Sequence, residues 1–192
     1  MHFRVGIVGA TGMVGQRFAT LLAGHPWFEV TVLAASSRSA GKTYREAVGE
    51  RWAMSAPMPE SLAGMTVLDA AADKKKVASM ADFVFCAVDM KKDEIRALEE
   101  DYARLECPVV SNNSAHRFTD DVPMVIPEIN ADHLEIIPFQ RKRLGTKRGF
   151  VAVKSNCSLQ SYVPALYPLS RFGFRRALVC TYQAISGAGK TF

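Results

Sequence analysis

The sequence has no apolar run near the roughly 18 residues that a membrane span requires, no C-x-x-C pair, no internal repeat and no low-complexity tract. The first absence argues against membrane insertion. The second, with only four widely spaced cysteines at Cys86, Cys107, Cys157 and Cys180, argues against a metal site such as zinc and against a dense disulfide framework, so reduced thiols are expected. The opening MHFRVGIVGATG lacks the charged, apolar and small-residue succession of a signal peptide and enters a strand at once, which makes the cytoplasm the expected compartment. No nucleic-acid motif accompanies the basic run of Arg141, Lys142, Arg143, Lys147 and Arg148, which supplies much of the net charge of +5. That run reads as a solvated loop between ordered segments, and nucleic acid is not an expected partner.

What is present is an ordinary globular composition, 48% hydrophobic and 22% charged over 192 residues, enough for one domain and part of another. FRVGIV at 3–8 is a short apolar strand, and Val14, Phe18, Leu21 and Leu22 fall at helix spacing. Strands follow at 29–35 (EVTVLAA), around Thr66 to Leu68, at 82–88 (DFVFCAV) and at 108–112 (PVVSN), with a helix from Lys92 to Leu105 before the last. Short apolar strands alternating with helices predict a parallel sheet covered on both faces. After a PEIN turn at 127–130 the pattern is irregular; VAVKSN at 151–156 begins something new, and ALVCTYQAIS at 177–186 reads as a further strand.

IVGATGMVG sets Gly9, Gly12 and Gly15 between the first strand and the first helix. Such a turn needs unusual backbone angles, a missing side chain where backbone approaches a pyrophosphate, and helix N-terminal amides as donors. Dinucleotide binding is the expectation, against glycines that merely permit close packing. The end of the second strand then separates NAD from NADP. It reads AASSRSAGK, with Ser36, Ser37, Arg38, Ser39 and Lys42 and no acid to bind a ribose 2′-hydroxyl. An arginine fork and serine hydroxyls suit a 2′-phosphate, so NADP is favoured; the alternative is a polar surface loop.

Cys86 and Cys180 sit in apolar strand patterns and read as buried. Cys157 differs. It follows Asn156 at a strand-to-helix junction, where helix amides stabilise a thiolate, and a thiolate beside a nicotinamide suggests acyl oxidoreduction through a thioester.

GATGMVGQRF, AASSRSAGK, VSNNSAHR, VPMVIPEIN, SNCS and YQAISGAG occur in the order found in the aspartate-semialdehyde dehydrogenase family, and most resemble its archaeal and fungal branch. The resemblance covers essentially the whole chain. It implies an α/β fold, a Rossmann-like doubly wound parallel sheet over residues 1–150, followed by the start of an α+β catalytic and dimerisation domain over 151–192. It implies that Cys157 is the nucleophile, forming a thiohemiacetal with aspartate semialdehyde and then a thioester that phosphate cleaves to aspartyl phosphate; biosynthesis of lysine, threonine and methionine runs this in reverse. Arg117 matches the phosphate-holding arginine, Gln183 the glutamine at the substrate, and Asn113 a position near the cofactor and phosphate pocket. Thr11, Gly12, Met13, Val14, Arg38 and Ser39 match pyrophosphate and 2′-phosphate contacts; Ser186 and Gly187 lie near the nicotinamide half. A homodimer or homotetramer is implied for the full-length enzyme.

The sequence departs from the family in ways that matter. The family's general base is a histidine well downstream of the cysteine, near an arginine that grips the substrate carboxylate, whereas the last histidine here is His133. Lys154 and Ser155 stand where a proline often precedes the asparagine, and Leu159 where threonine is common. The chain therefore reads as the N-terminal portion of a longer enzyme, expected to bind NADP with negligible turnover, since losing a general base costs on the order of 10²–10⁴ in rate. Malonyl-CoA reductase and N-acetyl-glutamyl-phosphate reductase share the layout, and a non-catalytic NADP-binding sensor is the alternative from another class.

Overall fold

Alternate residues along the first strand face opposite ways and both find apolar partners. Val5 and Ile7 join one buried cluster with Leu33, Ala35 and Tyr44, while Val8 joins another with Val32, Ala34, Val84 and Cys86. Strands buried on both faces are the signature of a parallel sheet between helical layers. The structure, a computed structural model, describes residues 2–173 and 175–182. Chain order is β1 (Phe3–Val8), α1 (Met13–Leu22), β2 (Phe28–Ala35), α2 (Tyr44–Val48), α3 (Glu60–Ala63), β3 (Val67–Asp69), α4 (Lys74–Met80), β4 (Phe83–Cys86) and α5 (Lys92–Arg104). It continues with β5 (Val109–Ser111), β6 (Met124–Val125), α6 (Pro127–Asn130), α7 (Ile137–Leu144), β7 (Val151–Lys154) and α8 (Cys157–Leu166).

The seven strands lie in the order β3-β2-β1-β4-β5-β7-β6, and every pairing is parallel. The expected Rossmann-like, doubly wound sheet is what forms. From β1 the chain winds outward through β2 and β3, then returns to place β4 on the other side of β1. That reversal opens a crevice above the C-terminal ends of β1 and β4, where ligands of such sheets bind. β7 is hydrogen bonded between β5 and β6, so the sheet runs four residues past the division expected at 150.

Two stretches differ from their expected form. The region after 127 is not irregular: PEIN is one turn of helix, a 3-10 turn spans Ala131–Ile136, and α7 follows. The basic run is correspondingly tied down. Arg141, Lys142 and Arg143 occupy the last turn of α7, where cations meet the negative end of the helix dipole. Arg143 grips Asp121 and Glu100, and the Glu106 carboxylate accepts the backbone N–H groups of Lys147, Arg148 and Gly149. The second correction concerns residues 177–182. They form no strand and Cys180 is exposed, because no neighbouring strand among the described residues pairs with them. No helix among the described residues is long and apolar enough to cross a membrane.

Candidate active site

The glycine turn is fixed by what surrounds it. Gly9 adopts φ +92°, and a Cβ there would lie 2.3 Å from the Ala87 carbonyl oxygen; one on Gly15 would lie 2.2 Å from the Gly9 carbonyl oxygen. Both positions therefore require glycine for the fold itself. Gly12 is different, since its added Cβ meets nothing nearer than the Gly9 oxygen at 3.5 Å and would instead project at the mouth of the helix. Gly12 caps α1 without a side-chain hydrogen bond, and the first intrahelical bond runs from Gln16 N to Gly12 O, so the amides of Met13 and Val14 have no acceptor within the helix. Buried Gln16 braces the turn. Its Nε2 donates to the carbonyls of Thr11 and Arg51, both at 3.0 Å, and its Oε1 accepts the Ala53 N–H at 2.8 Å. The buried Tyr44 hydroxyl donates to the Ala10 carbonyl at 2.9 Å from the other side.

Over this turn lies a cleft of about 710 Å³ at the ends of β1 to β4. Thr11 and Gly12 line it, as do Arg38, Ser39 and Lys42 beyond β2. Asp69 also reaches it, but one carboxylate oxygen accepts the N–H groups of Ala71 and Ala72 at 2.8 Å, binding it into the turn after β3. Among the described residues neither Arg38 nor Lys42 has a carboxylate within ion-pair distance. The cleft thus combines an open helix N-terminus with two cations that form no ion pair with the described residues, a donor set that fits a dinucleotide with an extra phosphate.

Farther along the same sheet edge, Asn113 follows β5 and is held by a buried network that sequence reading did not find. Its Nδ2 donates to Glu99 Oε1 at 2.8 Å, its backbone N–H donates to Ser111 Oγ at 3.0 Å, and the Ser111 hydroxyl donates to the same Glu99 oxygen at 2.6 Å. Glu99 is fully buried, and its Oε2 has no hydrogen-bond partner among the described residues, standing 4.0 Å from His116 Nε2. The signal was there to read: on α5, Glu99 shares the stripe of Ile95, Leu98 and Tyr102. Burial, reinforced by the Glu99 charge, pushes the Cys86 thiol well up, and burial pushes Cys107 up to about 12.

Cys157 is exposed and is the first residue of α8, reached directly from β7. Asn156 caps the helix, its Oδ1 accepting the Ser158 N–H at 2.9 Å. Arg117 comes in from the loop after β5, its Nε donating to the Lys154 carbonyl at 3.3 Å. Thr11, Gly12, Arg38 and Ser39 are thus gathered in the cleft, Arg117 beside the start of α8, and Asn113 after β5, between β4 and β7 in the sheet. Gln183, Ser186 and Gly187 lie outside the described residues.

The semialdehyde dehydrogenase NAD-binding domain model matches residues 4–137. The chain belongs to this family. It is 43% identical over 189 residues to an aspartate-semialdehyde dehydrogenase of Archaeoglobus fulgidus, covering 98% of this chain and 52% of the relative. It is also 43% identical to that of Schizosaccharomyces pombe, over 97% of this chain and 51% of the relative. Among solved structures, aspartate semialdehyde dehydrogenase with NADP from Candida albicans matches with a TM-score of 0.77 and 35% identity, over 90% of this chain and 48% of that one. The chain thus spans about half the length of the family relatives it matches, and the archaeal and fungal resemblance of its motifs holds across nearly all of its own length.

Proposed function

We propose that this chain holds NADP in the cleft over the glycine turn and presents Cys157 as the nucleophile of an aspartate-semialdehyde dehydrogenase. The observation that carries the reading is the position of Cys157: exposed, first in its helix, and on the C-terminal edge of the same parallel sheet whose other strand ends line the cleft. In a parallel sheet all strands deliver their following residues to one edge, so thiol and cofactor face a common space. The relative from Candida albicans solved with NADP supports the cofactor.

In this reading the amides of Met13 and Val14, with Thr11 and the open side of Gly12, hold the pyrophosphate, while Arg38, Ser39 and Lys42 hold the 2′-phosphate. Cys157 sulfur adds to the aldehyde carbon of aspartate semialdehyde to form a thiohemiacetal; loss of a hydride from that carbon and of the hydroxyl proton leaves a thioester, which phosphate cleaves to aspartyl phosphate, releasing the thiolate. Bound NADP supplies the hydride acceptor. Arg117 holds the phosphate, Asn113 orients the pocket from its anchor on Glu99, and Gln183, Ser186 and Gly187 keep their family assignments to substrate and nicotinamide. Residues 1–150 supply the nucleotide unit, and the chain from 151 leads through β7 into the α+β catalytic unit. Homo-oligomeric assembly of the full-length enzyme and a cytoplasmic location belong to the same reading.

Titration with NADP and with NAD, followed by nucleotide fluorescence, tests the cofactor, and semialdehyde oxidation followed as NADPH absorbance tests turnover. NADP binding with negligible turnover is expected. A folded chain that binds neither nucleotide sinks the proposal.

A further inference from the structure

We propose that Lys154 joins Arg117 as a second cation of one phosphate-binding anchor beside Cys157, a role that rests on the dehydrogenase reading of that site and that the family resemblance gives to no lysine at this position. Arg117 Nε donates to the Lys154 carbonyl, which brings the guanidinium to the end of β7, where Lys154 is the last strand residue and Cys157 lies three residues on. Lys154 is half-buried, and among the described residues its ammonium hydrogen bonds only to the adjacent Ser155 carbonyl, at 3.3 Å. Burial, then the Arg117 charge, works against its cationic form, and the Cys157 sulfur works for it, so the lysine lies in the field of both residues. The terminal nitrogens of Arg117 make no hydrogen bond with the described residues.

Like charges held side by side and partly out of water are costly unless an anion offsets them. Among the described residues no Asp or Glu forms an ion pair with Arg117 or Lys154, and the sequence contains no Asp or Glu after Glu135. Arg143 shows the contrast, with Glu100 and Asp121 both on its guanidinium. A bidentate fork and a point charge together match a phosphate dianion in charge and in geometry, and α8 adds the positive end of a ten-residue helix at the same place. The ligand is the phosphate group that attacks, or leaves, the acyl carbon on Cys157.

The test is the rate of alkylation of Cys157 in the 192-residue chain, mapped by peptide, with neutral iodoacetamide and anionic iodoacetate. Inorganic phosphate is raised against sodium chloride of matched ionic strength. Phosphate is expected to protect Cys157 saturably from iodoacetate where chloride does not. Lys154→Gln should weaken that protection about tenfold and Lys154→Arg should keep it. Equal protection in Lys154→Gln and the unaltered chain overturns the proposal. So does a Lys154→Gln that slows both reagents alike with protection intact, because the lysine then acts on the thiol. If Lys154→Gln does not fold, as read by circular dichroism, protection equal to chloride in the unaltered chain or lost in Lys154→Arg overturns it as well. The dehydrogenase reading fails separately, if Cys157 reacts with iodoacetamide no faster than exposed Cys180.

Discussion

Helices α1 and α8 are each ten residues long and each starts at the C-terminal edge of the sheet beside residues suited to ligand chemistry, yet α1 buries Gly15, Gln16, Ala19 and Leu22 whereas α8 buries none of its residues. The first is pressed against β1 and β2, and its start is shaped by carbonyls that leave no room for a side chain at Gly9 or Gly15. The second is held at its start by local bonds, the Asn156 cap and the Arg117 contact with Lys154. Beyond it, Phe172, Leu178 and Tyr182 are largely exposed. The cofactor end of the molecule is therefore set by packing and the thiol end by capping and charge. Changes at the packed positions of the first, such as Gly9 and Gly15, should cost folding, whereas changes at the second should cost chemistry.

The largest effect that divides the two regions is thiol reactivity. Cys86 and Cys107 lie in the packed region, and burial pushes Cys107 up to about 12 and Cys86 well up as well. At pH 7.5 a thiol at about 12 is ionised to roughly 10⁻⁴–10⁻⁵, and only the thiolate attacks an alkylating agent. Native-state labelling with iodoacetamide should modify Cys157 and Cys180 at least ~10³ faster than the other two, which should label only on unfolding. Comparable rates at all four would erase the contrast in burial.

Next in size is the difference between two glycines three residues apart. Gly15→Ala forces a backbone shift and should lower stability by about 3 kcal/mol, seen as a fall in the urea midpoint. Beyond its chain neighbours, Gly12→Ala meets no atom of the described residues closer than 3.5 Å, so its midpoint should hold while NADP affinity falls at least about tenfold. Equal loss of stability in the two would mean that the turn is packed on all sides and leaves no opening for a pyrophosphate.

The same contrast explains what was legible in the sequence. Strands such as FRVGIV and DFVFCAV show themselves because burial on both faces makes them continuously apolar, and the glycine turn shows itself because its requirements are local. The place of Glu99 in the apolar stripe of α5 is legible in KDEIRALEEDYAR, but its partners are not, because only the register of α5 against β5 brings it under Ser111 and Asn113. Lys154 was noticed only as a departure, since its proximity to Arg117 depends on which strand follows β5 in the sheet. ALVCTY carries a strand's pattern, but a strand needs neighbours, and Cys180 lies exposed without them.

Specificity at the packed end comes third. With Arg38 lining the cleft beyond β2 and no carboxylate paired to it among the described residues, Arg38→Ala should weaken NADP binding about tenfold to a hundredfold and leave NAD binding almost unchanged. Parallel titrations with the two nucleotides read the difference. An equal loss for both would place Arg38 on the pyrophosphate or the adenine instead, and the 2′-phosphate would need another holder.

The smallest effect is a dependence on acid. Glu106 takes φ 61°, a left-handed backbone that favours glycine, just past the end of α5. Its carboxylate accepts the backbone N–H groups of Lys147, Arg148 and Gly149, and those bonds hold it below the usual carboxylate range. Arg4 does the same to Asp82, through a side-chain hydrogen bond first. A carboxyl held low in the fold contributes stability above its unfolded value and loses it as pH falls through the folded one. Thermal midpoints should therefore stay level from pH 7 to about 5 and decline below that. Glu106→Gln keeps the shape but not the charge, and because the group is exposed its effect is small: a midpoint lower by about 1–2 °C at pH 7, converging on the unaltered chain near pH 3. A gap that stays constant across that range would mean that the three N–H bonds hold the loop without the charge.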